Sequence, residues 1–149
     1  MIRPGLTVAL AQIACDWAET RGNLDRMAYW AERAAREGAG MVVYPALCVP
    51  GDYHAMEEIV EYRRRTGRMH WKTHDQMRDD FYACIPALAR ENRFWALFVN
   101  QAGRPHPCLQ FVGPSFVVEP AGRVVAETRD GSEQLVLAEL PPGAPREPA

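Results

Sequence analysis

Residues 6–14 (LTVALAQIA) and residues 41–44 (MVVY) are short apolar runs rich in β-forming side chains, with a helical pattern between them. Runs of this kind read as buried strands. In the intervening segment Leu24, Met27, Ala28, Ala31, Ala34 and Ala35 recur at the spacing of one helix face. Thr20 stands where an N-cap is expected, and Gly38 and Gly40 stand where the helix must stop. Pro45 ends the second run. Strand, helix and strand in so short a stretch predict a βαβ unit whose two strands are adjacent and parallel.

The remainder is less regular at first. Residues 56–62 suggest a short helix, and the basic cluster Arg63, Arg64, Arg65 and Arg68 reads as its solvated end. A helix is predicted over 76–93, with Met77, Phe81, Cys84, Leu88 and Ala89 along its apolar side and Pro86 starting or kinking its main part. On that side Cys84 reads as a core residue. Residues 94–99 (FWALFV) predict a third strand, residues 111–118 and 123–127 a hairpin about Pro120-Ala121-Gly122, and residues 134–140 a closing strand. The nine residues 141–149 include four prolines and predict a disordered tail. A single domain over 1–140 is the expectation. The chain of 149 residues, 48% hydrophobic with a net charge of −2, is long enough for one core. Near-neutral charge argues against a general nucleic-acid or membrane-surface binder, and no apolar run approaches the ~18 residues of a membrane span. The N-terminus lacks the apolar segment of a signal peptide, which makes the cytoplasm the expected location. Cys15, Cys48, Cys84 and Cys108 lie 33, 36 and 24 residues apart, so no CxxC pair exists for a zinc ribbon or redox couple.

Two ordered blocks of motifs carry a resemblance. Residues 8–53 contain VALAQIACDW, GNLDRM and AREGAGMVVYPALCVPGDY; residues 87–140 contain ALARENRFWALFVNQAG, FVGPSFVVEPAGRVVAE and LVLAEL. In this order they resemble the nitrilase, or carbon–nitrogen hydrolase, superfamily. The matching positions are Gln12 at the end of the first strand, Asn23 early in the first helix, and Pro45 and Tyr53 after the second strand. In the second block they are the Glu91-Asn92 pair, Asn100 and Gly103, Gly113 and Ser115, and Pro120 and Gly122 of the hairpin. Glu91, Asn92 and Asn100 stand beside apolar runs and read as satisfying buried backbone groups. The resemblance implies an α/β fold: an α-β-β-α sandwich in partial form, with a βαβ N-terminal unit, a shortened middle (residues 54–86) and a C-terminal helix-strand-hairpin.

The same resemblance implies hydrolysis or formation of amide and nitrile C–N bonds by a Glu, Lys and Cys triad. A thiolate attacks the carbon, the glutamate takes the thiol proton and activates water, and the ammonium stabilises the developing charge. The glutamate's place, directly after Pro45, is held here by Ala46. Losing a positioned general base typically costs on the order of 10²–10⁴ in rate. The segments that bear the lysine and cysteine belong to the family's middle third, and residues 54–86 are too few to hold them. Asp52, inside the usual Gly-Tyr, and Leu88, where arginine is usual, are further departures. The sequence thus predicts a nitrilase-like protein without hydrolase activity by itself, a pseudoenzyme or partner subunit. Sheet edges exposed by the shortened middle would pair with a second copy or with a complete nitrilase-like chain. A different reading is a reduced amidase-type hydrolase acting through Cys84 and Lys72, the only lysine, with Glu57 or Glu58 as substitute base. A third is a small-ligand module that reuses the pocket near Pro45 and Tyr53. His70 and His74 have the spacing of a two-histidine metal pair, but Trp71 occupies the position where HExxH needs glutamate, so neither metal nor cofactor is expected.

Overall fold

The computed structural model describes residues 5–51, 61, 64–66, 74–104, 111 and 113–142. Within them lie β1 (Leu6–Gln12), α1 (Thr20–Arg36), β2 (Met41–Val43), α2 (His74–Asn92), β3 (Ala96–Phe98), β4 (Phe116–Val118), β5 (Val124–Glu127) and β6 (Gln134–Leu140). The predicted βαβ unit is present: β1 and β2 are parallel neighbours, with Val8 opposite Met41 and Leu10 opposite Val43. On its other side β1 pairs antiparallel with β6 along its whole length, from Leu6 opposite Leu140 to Gln12 opposite Gln134. The first sheet therefore has the order β2-β1-β6, and a second, antiparallel sheet has the order β3-β4-β5.

Side-chain alternation turns these two sheets into a four-layer sandwich. Val8 and Leu10 of β1, Val43 of β2 and Val136, Ala138 and Leu140 of β6 meet Leu97 of β3, Val117 of β4 and Ala126 of β5 between the sheets. The residues one step out of phase face the helices, and in β5 the register shift opposite Val117 and Val118 places Val124 on that side, two residues before Ala126. Ala11 and Val42 pack with Met27 and Trp30 of α1. Ala96, Phe98, Phe116, Val118 and Val124 pack with Phe81, Tyr82, Ile85 and Ala89 of α2. The layer order is α1, first sheet, second sheet, α2, the architecture that the motif series implied. No helix among the described residues is long and apolar enough to cross a membrane.

Three local expectations are corrected. Helix α1 begins at Thr20, with Glu19 at the N-cap position and no side-chain cap. Helix α2 begins at residue 74 and runs through Pro86 without a break in its assignment. Its buried stripe is Phe81, Tyr82, Ile85 and Ala89, rotated from the stripe predicted, so Cys84 and Leu88 are exposed rather than core. Both residues are compatible with an apolar face, and helical spacing alone left two overlapping stripes; the aromatic rings decide between them. Tyr82 stacks on Phe116 at 4.9 Å between centroids while its hydroxyl donates to the Glu127 carboxylate. Phe81 meets Phe98 at 4.7 Å, and Phe98 meets Phe116 at 5.1 Å.

Phe116 is fully buried at the centre of that ring cluster. Phe116→Ala is expected to lower the unfolding free energy by about 3–5 kcal/mol in urea titration, the usual loss for emptying an aromatic site. A loss below about 1 kcal/mol would show that α2 does not depend on this ring.

Candidate functional site

The site is built where β1 and β2 end, because the loops of both sheets converge there. Gln12, the last residue of β1, is completely buried. Its side-chain amide donates to the backbone oxygens of Asp130 (2.7 Å) and Ser132 (2.8 Å). Its Oε1 accepts from the hydroxyls of Ser115 (2.9 Å) and Thr128 (3.0 Å). The amide thus uses both donors and both lone pairs, as a buried group must. The network continues: Ser115 Oγ accepts the N–H of Asn100 (2.9 Å), and Thr128 Oγ1 accepts the N–H of Ser115 (2.9 Å).

A second set of contacts ties the loop after β1 to the loop after β2. Asn23, buried in the first turn of α1, accepts the N–H of Asp16 (2.8 Å) and donates to the oxygens of Asp16 (2.8 Å) and Val49 (3.2 Å). Ala18 N–H donates to Pro50 O at 3.1 Å. Gly51 closes the loop at φ +64°, and a Cβ there would stand 2.6 Å from Asp16 O, so the approach requires glycine. Arg26 of α1 donates to Ala14 O (2.9 Å) and to the Asp16 carboxylate (3.1 Å), and its Nε lies 3.7 Å from Glu133, whose Oε1 also accepts the N–H of Ala14 (2.9 Å). Buried Gln101 donates to Ala46 O at 3.1 Å, and Ala102 N–H donates to Ile13 O at 2.9 Å. The turn that carries Ala46 is therefore held from the second sheet as well as from its own. It continues through Leu47 at φ +58°, a left-handed conformation that few L-residues adopt.

The structure gathers Gln12, Asn23, Pro45, Asn100 and Ser115 around these strand ends, with Ala46 exposed at the rim. Gly103 N–H donates to Gly131 O at 3.1 Å, and Gly113 (φ +42°) packs against Gly131. Pro120 and Gly122 form the β4–β5 turn away from the site, where Gly122 N–H donates to Glu119 O (2.8 Å). Glu91 and Asn92 are exposed, and Asn92 donates to Leu88 O (2.9 Å) within its own helix, so neither serves a buried backbone group. Cys84 lies on the exposed side of α2, in the outermost layer. Tyr53, Glu57, Glu58, His70, Lys72 and Cys108 lie outside the described residues, and His74 opens α2. Among the described residues no group of three His, Cys, Asp or Glu could hold a metal ion. Thr128, Gln101, Arg26 and Glu133 are contributors that the sequence reading missed; each is a single polar residue whose partner is far off in the chain.

Neither cysteine near the rim is set up as a nucleophile at neutral pH. Burial pushes the Cys15 thiol up to about 12, with Cys48 adding to the shift, and burial raises Cys48 as well. Cys48 donates its S–H toward Met27 Sδ at 3.6 Å. Neither thiol is ionised near neutral pH, and the thiolate is the nucleophile.

A family model described as carbon-nitrogen hydrolase matches residues 57–147, more than half the chain. Among solved structures, the chain is similar to an amidase from Nesterenkonia sp. at 18% identity, covering 94% of this chain and 92% of that one, with a TM-score of 0.70. It is similar to Saccharomyces cerevisiae Nit3, a member of branch 10 of the nitrilase superfamily, at 13% identity, with 95% and 92% coverage and a TM-score of 0.70. The C. elegans NitFhit protein aligns at 14% identity over 95% of this chain and 62% of its own, also with a TM-score of 0.70. Among curated proteins no match is found.

Replacing Gln12 tests the network. Gln12→Leu leaves two hydroxyls and two carbonyls short of a partner and is expected to cost about 2–5 kcal/mol in urea unfolding. Gln12→Glu adds a pH signature. Its carboxyl would face the Asp130 and Ser132 carbonyl oxygens, so burial and repulsion raise the folded-state pKa above the ordinary ~4.3. A raised pKa means the folded variant binds more protons than the unfolded one. Its stability relative to wild type is therefore best below pH ~4, where both states are protonated, and falls as pH rises from there through the raised folded-state pKa. Urea midpoints at several pH values check this, and a variant that gains on wild type toward pH 7 would refute the geometry.

Proposed function

The chain belongs to the carbon–nitrogen hydrolase family, and from that premise we propose that it is a nitrilase-like protein without hydrolase activity by itself, a pseudoenzyme or partner subunit. The observation that carries this reading is Ala46. The turn after β2 is held by Gln101, Asn23 and Gly51, yet the side chain it presents directly after Pro45 is a methyl group, which can neither take a thiol proton nor activate water. The cysteine environments support the same reading. Covalent chemistry in this fold is exemplified by a mutant of the Nesterenkonia sp. AN1 amidase, which shows covalent addition of the acetamide moiety of fluoroacetamide at its active-site cysteine. In the present chain Cys15 and Cys48 are buried with raised pKa, and Cys84 faces away from the sandwich on α2.

In this reading residues 8–53 and 87–140 are the two ends of one domain whose middle, residues 54–86, is shortened. Among the described residues β2 and β6 are the edges of one sheet and β3 and β5 the edges of the other. An unpaired edge presents free N–H and C=O groups to another chain. The partner is a second copy or a complete nitrilase-like chain, and no cofactor is required.

Ammonia release from butyramide, acetamide and a short aliphatic nitrile is the direct test. Neither wild type nor Ala46→Glu is expected to release ammonia above the protein-free control, since the restored carboxylate still lacks its nucleophile. Turnover that vanishes in Cys84→Ala or Lys72→Ala would overturn this reading in favour of a reduced amidase. Light scattering after gel filtration is expected to give a mass of at least twice the 16.8 kDa of one chain, alone or after mixing with a complete nitrilase-like chain. A 16.8 kDa species under both conditions would remove the partner-subunit half of the proposal.

A further inference from the structure

Cys15 and Cys48 are unused by any function considered so far, and the fold brings them together. They follow β1 and β2 and stand 33 residues apart, the same offset that pairs Val8 with Met41 in the β1–β2 register. Both thiols are free, both are buried, and both belong to the cluster formed by Ala11, Ile13 and Trp30. The two loops are locked against each other just beyond the sulfurs, where Ala18 N–H reaches Pro50 O, Asn23 bridges Asp16 and Val49, and Gly51 lies against Asp16 O, and before them by the β1–β2 ladder.

From this juxtaposition we propose that Cys15 and Cys48 form a disulfide when the protein meets a low-molecular-weight disulfide such as oxidised glutathione, stapling the loop after β1 to the loop that bears Ala46. Cys48 is the entry point, being 7% exposed against 2% for Cys15. Its thiolate attacks the external disulfide, forms a mixed disulfide and releases one thiol. Cys15 then attacks the Cys48 sulfur of that mixed disulfide, the protein S–S bond forms, and the second small thiol leaves. The two cysteines lose two electrons and two protons in total, and the external disulfide gains both. The ring so closed encloses α1 and β2, and constraining the unfolded chain in this way raises its melting temperature.

This proposal does not rest on the absence or presence of hydrolase activity. Its test uses the full chain in a Cys84→Ser/Cys108→Ser background, which keeps only the pair. The protein is equilibrated at pH 8.5 in oxidised and reduced glutathione, in one arm from the folded state and in another by refolding from urea. The expected product loses two hydrogens in intact mass, has no alkylatable thiol, and yields a peptide linking Cys15 to Cys48 that separates on reduction. Its Tm is expected to rise by roughly 10 °C and to return with dithiothreitol. Cys15→Ala and Cys48→Ala, which keep a small apolar side chain, are each expected to abolish the mass loss and the Tm shift. Two thiols that remain alkylatable in both arms, or that carry glutathione instead of each other, would overturn the proposal.

Discussion

One buried amide joins the two halves of this molecule. Gln12 stands at the end of the central strand of the first sheet, while Ser115 and Thr128 flank the central hairpin of the second. Asp130 and Ser132 belong to the segment that carries the chain from β5 back to β6. A single side chain thus fixes the separation of the sheets, the entry into β4, the exit from β5 and the return to β6. Ser115 and Thr128 are buried and cannot find water instead, so their hydrogen bonds to Gln12 count at the high value of a buried one. The full-length pairing of β6 with β1 follows from that return, and it brings the C-terminal strand beside the N-terminal one. The first sheet is therefore closed by contacts between the two ends of the sequence, and every described strand lies outside residues 54–86.

The loops around Ala46 share this rigidity. Gln101 holds the Ala46 carbonyl, Asn23 and Gly51 hold the loop that follows, and Arg26 with Glu133 holds the loop opposite. These contacts are made largely to backbone atoms, so they are indifferent to the side chain that the turn presents. The turn would therefore tolerate another side chain at residue 46: the Ala46 methyl is exposed, and the contact from Gln101 reaches its backbone. A catalytic carboxylate contributes to rate rather than to fold, and stability does not defend it.

How much of this was legible depended on whether the determining contact was local. The βαβ unit, the hairpin and the closing strand were read from apolar runs and turn residues, since those report burial on both faces and local backbone demands directly. Gly113 and Ser115 at the entry to β4, and Gln12 at the end of β1, were picked out by motif order, although the hydrogen bonds that explain them were not. Thr128, Gln101 and Glu133 were invisible because one threonine or glutamine carries no pattern and its partners lie far away in the chain. Cys84 was misassigned for the opposite reason. A helix with Met77, Phe81, Ile85, Leu88 and Ala89 has two overlapping apolar stripes, and only the Phe98 and Phe116 rings on the facing sheet choose between them.

The described thiols sort by layer, and that sorting sharpens the functional reading. A nucleophilic cysteine needs partial access and a neighbouring positive charge that favours the thiolate. Cys15 has Arg26 nearby, but desolvation outweighs it, and Asp16, Glu133 and Cys48 oppose it, so the thiol is driven up to about 12. Cys48, two residues beyond Ala46, is turned into the core against Met27. Cys84 has access but sits on the outer face of α2, on the far side of the second sheet from the turn at Ala46. Among the described thiols, none is both exposed and on the side of the turn at Ala46. Alanine at residue 46 and the placement of sulfur by burial are independent features, and both support the proposed reading through the solvation of the groups as much as through their identity.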